Sequence, residues 1–204
     1  MAYYYLGAQL PYLFYGQNPP MSSAAYKALA AELMGPGAAA LLEYCTLDPD
    51  PLAPSYAEPA SLTACDFINR WKEWERSLRL NLARNRAVKL KREGLFDAPA
   101  YPSEAVIAAK NAMTIESPLE AEIFLDKARW EAIESFQGLS AFSENAMYAY
   151  LLKLLLMERR MAFKTEEGYT EYKGLYAAIL GSKAGVQEFE VQEPAVHGPY
   201  GETK

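Results

Sequence analysis

SLTACDFINRWKEWERSLRLNLARNRAVKLKR (residues 61–92) is the longest helical stretch in the chain. Phe67, Trp71, Trp74, Leu78 and Leu82 recur at spacings of 4, 3, 4 and 4, which is one face of an α-helix. Ser61 or Thr63 can cap its start, and Gly94 and Pro99 close it. At about 1.5 Å per residue such a helix reaches roughly 45 Å. A single aromatic and aliphatic stripe on an element of that length has to be covered by other elements.

The flanking sequence supplies them. Upstream, Ser22 or Ser23 caps a helix to about Met34, with Tyr26, Leu29 and Leu33 as its stripe and Gly35-Pro36-Gly37 as its stop. Ala38 to about Cys45 adds a short second helix. Residues 48–60, DPDPLAPSYAEPA, hold four prolines and three acids and read as a loop. Downstream, Ser103 caps a helix from Glu104 to Met113. Ser117-Pro118-Leu119-Glu120 is a start signal with a capping box, followed by Leu119, Ile123, Trp130 and Ile133 at helical spacing and closed by Gly138. Ser143 opens ENAMYAYLLKLLLMERRMAF (144–163), apolar around most of its circumference and so central in a bundle. A last helix is expected over Glu166 to Leu180, with Tyr169, Tyr172, Tyr176 and Ile179 on one face. Residues 182–204 read as a flexible tail, within which 186–192 alternates weakly in the manner of a strand. The expected class is all-α, a bundle of long antiparallel helices. It is either one bundle or two related helical modules, 1–98 and 99–181.

The N-terminal stretch MAYYYLGAQLPYLFYGQNPP carries five tyrosines in residues 3–15 and no charge before Lys27. No basic residue precedes its apolar run, as a secretory signal would need. Gly7, Gln9, Pro11, Gly16, Gln17, Pro19 and Pro20 interrupt it too often for a membrane span. The expectation is a short ordered segment, Tyr3 to about Gln9, helix or strand, packed on the core. Within 144–163, Glu144, Lys153, Glu158, Arg159 and Arg160 likewise oppose a span.

Composition narrows the chemistry. With 51% hydrophobic and 23% charged residues in 204, the chain is an ordinary globular protein. Cys45 and Cys65 stand twenty residues apart and form no metal-binding pair, and the only histidine, His197, lies in the tail. Two reduced cytosolic thiols and no metal or cofactor are expected. No phosphate-cradling glycine loop and no GxSxG occur; Gly35-Pro36-Gly37 lacks the lysine such a loop needs. Glu120 and Glu122 point to different helix faces, and Glu120 reads as a cap. No catalytic residues are assigned, and the chain reads as a non-enzyme.

Charge is unevenly placed. Between Arg70 and Arg92 nine Lys or Arg stand against Glu73 and Glu75, in a chain of net charge −6. Residues 28–69 hold no Lys or Arg and six acids. Three readings of the basic run stay open: a solvated face, a surface for an acidic protein partner, or a nucleic-acid surface. For a partner surface the candidate residues are Arg76, Arg79, Arg84, Arg86, Lys89, Lys91 and Arg92. A fourth possibility is a small ligand held between helices near Trp71, Trp74 and Trp130.

Three stretches taken together resemble a known family: YYYLGAQLPYLFYG (3–16), NRWKEWERSLRLNLARNRAVKL (69–90), and SPLEAEIFLDKARWEAIESF with FSENAMYAYLLKLLLMERR within 117–160. These resemble uncharacterised short bacterial proteins encoded among the subunits of bacterial V-type (A-type) ATPases. The resemblance covers about residues 3–180. A more distant one is to the C-type (or d-type) component of V-type ATPases, an all-helical socket between central stalk and rotor ring. Lys72-Glu73-Trp74-Glu75 is similar to its polar pattern, as is Tyr150-Leu151-Leu152-Lys153, with Leu154, Leu156 and Arg159 departing from it. The resemblance implies a non-enzymatic coupling or accessory subunit that binds stalk or rotor subunits rather than nucleic acid. It also implies a cytoplasmic location, peripheral to the inner membrane through the ATPase.

Overall fold

The basic, aromatic stretch forms helix α4, Asp66–Lys89, in a computed structural model that describes residues 3–48, 63–92, 98–161, 163 and 171–177. Its five periodic residues are all buried, from Leu78 at 0% to Leu82 at 7% exposure. The helix begins later than either candidate cap. Asn69 explains why: its side chain accepts from the Thr63 amide at 2.7 Å and donates to the Thr63 carbonyl at 2.8 Å. Thr63 is thereby held outside the helix, and Asp66 supplies the acid of the first turn. The helix also ends earlier than Gly94. Lys91 takes a left-handed φ of 54°. The Arg92 amide then donates to Ala87 and the Lys91 amide to Val88, at 2.8 and 3.0 Å. That pair of bonds is a Schellman cap, built here on lysine where glycine is usual.

The remaining helices are α1, Tyr4–Gln9; α2, Ser23–Leu33; α3, Pro36–Leu41; α5, Ser103–Ala112; α6, Pro118–Gln137; and α7, Glu144–Met161. A 3-10 turn, Leu42–Tyr44, follows α3. Among the described residues there is no strand, and the fold is all-α. The weak alternation at 186–192 lies outside the described residues, as do the 48–60 loop beyond Asp48 and the whole of the 182–204 tail.

Local chemistry sets the helix starts. Ser22 accepts from the Ala25 amide at 3.1 Å, Ser117 from Glu120 at 3.4 Å and Ser143 from Ala146 at 3.1 Å. Pro118 occupies the first turn of α6, and Gly138 leaves it with a φ of 76°. Gly35 does stop α2, but Pro36 immediately starts α3.

These helices build the compact unit Met1–Ala162. Helix α7 is buried on most sides through Met147, Tyr148, Leu151, Leu152, Leu154 and Leu156, between α2 and α6. Helix α6 has α7 on one side and α4 with α5 on the other. Arg70 lies over Phe136 and Glu75 meets Arg129, so α4 and α6 are antiparallel; Glu134 meets Lys153 and Glu122 meets Arg159, so α6 and α7 are too. The alternation expected of a long antiparallel bundle is broken at α5. Before α5 the Pro99 carbonyl accepts from Asn81 at 2.9 Å, and after it the Met113 carbonyl accepts from Lys89, eight residues further along α4. Helix α5 therefore runs in the same sense as α4.

The N-terminal stretch is helical and partly packed. The Tyr3 amide donates to the Phe142 carbonyl at 2.8 Å, and Tyr3, Leu6 and Leu13 are buried. Gly7 lies against the Phe142 ring, where a Cβ would fall 2.6 Å from a ring carbon. Tyr4, Tyr5 and Tyr12, in contrast, are exposed. The expectation of a segment from Tyr3 to about Gln9 packed on the core holds for Tyr3 and Leu6 and fails for Tyr4 and Tyr5, because a turn of helix points part of its side chains outward; Tyr12 lies beyond that segment.

The second unit is Phe163–Lys204. Within it, residues 171–177 are helical, and the Tyr172 and Tyr176 rings stack with centroids 5.9 Å apart. Tyr169 and Ile179, expected on the same face, lie outside the described residues.

Candidate partner-binding surface

The seven candidate residues on α4 divide into two groups. Arg76 and Arg79 belong to the packed part of the helix. Arg76 makes a forked pair with Glu73, at 3.0 and 2.9 Å, one turn back. Arg79 donates to Glu75 at 2.7 Å and also to the Leu47 carbonyl. Their guanidinium groups are bound within the molecule, as are two other cations of the run: Arg70 sits over Phe136 and Lys72 over Tyr44, at 4.7 and 4.9 Å.

Arg84, Arg86, Lys89, Lys91 and Arg92 form the other group, and all five are exposed. From Val88 to Arg92 every residue is exposed, so the last turn of α4 is open all round. Lys89 donates to the Met113 carbonyl at 2.5 Å. For Arg84, Arg86, Lys91 and Arg92 no carboxylate lies within ion-pair distance among the described residues. Val88 and Leu90 stand 48% and 68% exposed among them. An apolar spot ringed by cations is a surface that an acidic partner would complement in charge. The left-handed Lys91 fixes the chain direction at this tip, at a conformational cost glycine would not bear.

Sequence reasoning missed a second feature. Glu75, Asp126 and Arg129 are 6%, 2% and 4% exposed. Arg129 donates to both Glu75 oxygens, at 3.0 and 3.2 Å, and to Asp126 Oδ1 at 2.9 Å. Arg79 extends the line at Glu75, and Arg159 extends it at the other end, 3.9 Å from Asp126 and 3.0 Å from Glu122. The result is a ladder of alternating charge from α4 through α6 to α7. Burial lowers the Arg129 affinity for its proton, but Glu75 and Asp126 outweigh this and hold it above the usual arginine value. For Asp126 burial wins over Arg129 and Arg159, and its carboxyl is pushed up. Its Oδ2 is buried and accepts no hydrogen bond among the described residues. One signal was readable: Glu75 stands four residues from Trp71 and three from Leu78, on the apolar face. Glu75 and Arg159 are also two of the positions singled out by the more distant resemblance.

Other candidate chemistry resolves as follows. Trp71 and Trp74 are buried and stack at 6.0 Å, and the Trp71 indole donates to Thr46 at 3.1 Å. Trp130 is buried between Tyr15 and Lys153 and donates to Glu134. Of the three indoles, Trp74 borders a cleft of about 880 Å³ between α4, α5 and α6, whose described lining includes neither Trp71 nor Trp130. Glu120 is exposed at the start of α6, whereas Glu122 is held by Arg159, so the two carboxylates are not paired. Cys45 and Cys65 are free thiols, and burial pushes the Cys45 thiol up, away from reactivity. Among the described residues no group of His, Cys, Asp and Glu is placed to hold a metal ion, and no helix is long and apolar enough to cross a membrane.

No family model, curated protein or solved structure matches the chain.

Proposed function

We propose that this protein is a non-enzymatic coupling or accessory subunit of a bacterial V-type ATPase, bound through the exposed end of α4 to an acidic surface of a stalk or rotor subunit on the cytoplasmic side. The observation that carries the binding part is the cluster Arg84, Arg86, Lys89, Lys91 and Arg92 around exposed Val88 and Leu90. The ATPase part rests on the resemblance of the three sequence stretches. A helix of 24 residues whose apolar stripe is buried from Phe67 to Leu82, and whose last turn is exposed, is a stiff presentation for such a surface. Its length is about 36 Å at 1.5 Å per residue.

Affinity purification of the tagged chain from its native cell tests the reading. ATPase subunits should copurify, and the triple variant Arg84→Glu, Arg86→Glu, Lys89→Glu should lose them. Copurification that survives the triple charge reversal refutes the assigned surface, and absence of every ATPase subunit refutes the assignment itself. Retention of labelled DNA or RNA at low salt, falling steeply as salt rises, would instead mark the same cations as a nucleic-acid surface.

A further inference from the structure

Helices α4, α5 and α6 leave a trough of about 880 Å³ that the α4 tip does not use. Its long wall is α6, where Phe124, Ala128, Ala132 and Phe136 recur every four residues. At about 1.5 Å per residue this stripe is about 18 Å long, the length of a three-turn helix. The alanines keep the floor low, and a phenylalanine stands at each end. Small side chains let a second helix axis approach to within the 8–10 Å of ordinary helix packing. Trp74 from α4 and Ala108 from α5 complete the floor. Ile107 and Tyr101 stand at its α5 side, 57% and 75% exposed. Large apolar side chains left in water beside a concave apolar surface mark an interaction site.

The lips carry opposite charges. Arg70, on α4, rests on Phe136 and meets no carboxylate among the described residues. Glu104, on α5, lines the trough and has no cation within ion-pair distance among them. The other charges of the trough are committed: Glu73 to Arg76, and Lys127 to Glu131 at 3.9 Å. We propose that the trough receives an amphipathic helix of a partner protein, about three turns long. Aliphatic side chains of that helix face Ala128 and Ala132, an acid on one flank meets Arg70, and a base on the other meets Glu104. Laying an apolar helix face into such a groove is a recurrent mode of protein recognition. The site is distinct from the tip of α4 and does not depend on the ATPase reading.

Photocrosslinking from the trough tests it. p-Benzoylphenylalanine is placed at Ile107 of the full chain in its native cell, and the crosslinked residues are mapped by mass spectrometry. The expected product is a crosslink to one segment of a different protein, with apolar residues three or four apart and an acid and a base on its flanks. A synthetic peptide of that segment should bind the purified full chain. Ala128→Trp, which fills the floor, should weaken binding at least tenfold with an unchanged melting temperature. Should Ala128→Trp fail to fold, Arg70→Glu serves, with binding restored by a peptide whose acid is replaced by arginine. Crosslinks only to a second copy of this chain, to itself or to a small molecule overturn the proposal. So do the absence of any crosslink, and peptide binding that ignores the variants.

Discussion

The body and the tip of α4 draw on the same residue types and use them oppositely. In the body, from Phe67 to Leu82, each cation has a fixed neighbour: Arg70 on Phe136, Lys72 on Tyr44, Arg76 on Glu73, Arg79 on Glu75. At the tip, the cations from Arg84 to Arg92 face solvent, and the apolar Val88 and Leu90 are exposed with them. Spacing alone does not distinguish the two, since both are helical and basic. What separates them is whether α6 and the 42–47 segment lie alongside. A run of positive charge is thus two things in one helix, a scaffold and a surface.

The largest effect that would test this contrast lies in the body. Arg129→Leu leaves Glu75 and Asp126 buried without their shared cation, and it should lower unfolding stability by about 3–5 kcal/mol, read from the urea midpoint at pH 7. A loss near zero would show that the ladder does not hold α4 to α6. The next effect depends on pH. The folded-state value of Asp126 is raised, so the folded protein binds more protons than the unfolded chain above the ordinary carboxylate value. Its contribution to stability is full below that value and is lost as pH rises through the raised one. Asp126→Asn should therefore gain on the wild type as pH rises from about 4 toward neutrality. A difference that does not change with pH would mean that Asp126 titrates as an exposed acid does.

Smaller effects belong to the tip. Lys91→Gly relieves a left-handed lysine and should stabilise the protein by about 1 kcal/mol, seen as a raised melting temperature. The same change removes a cation, so partner capture should fall while stability rises. Paired Arg84→Glu and Arg86→Glu should move stability by less than about 0.5 kcal/mol, as exposed sites do. A larger loss would assign these two arginines to the scaffold.

How far the sequence foretold this depends on which residue is asked about. The stripe from Phe67 to Leu82, the apolar girth of α7 and the Ser117-Pro118 start were legible because each is a local pattern with a local cause. Helix boundaries slipped where a non-local bond intervened, as with Asn69 holding Thr63. The direction of α5 was not legible, because it turns on a bond between Asn81 and Pro99. Of the seven candidate surface residues, the five at the tip are exposed, whereas Arg76 and Arg79 are held by acids of their own helix, which spacing alone did not distinguish. The buried ladder was missed for a related reason. Glu75, Asp126 and Arg129 each fall on an apolar face, yet only the crossing of α4 and α6 shows that their charges meet.

The ladder also bears on how the helices find their positions along one another. Apolar stripes that repeat every three or four residues fit almost as well after a slip of one turn, about 5.4 Å. A slip of α4 past α6 by that distance separates Glu75 from Arg129. Glu75 then keeps only Arg79 on its own helix and Arg129 only Asp126, so two buried charges lose the partner they share between helices, at a cost of about 3 kcal/mol. Alternating charges along Arg79, Glu75, Arg129, Asp126 and Arg159 thus act as a vernier, selecting a single axial register for three helices whose oily faces alone would accept several.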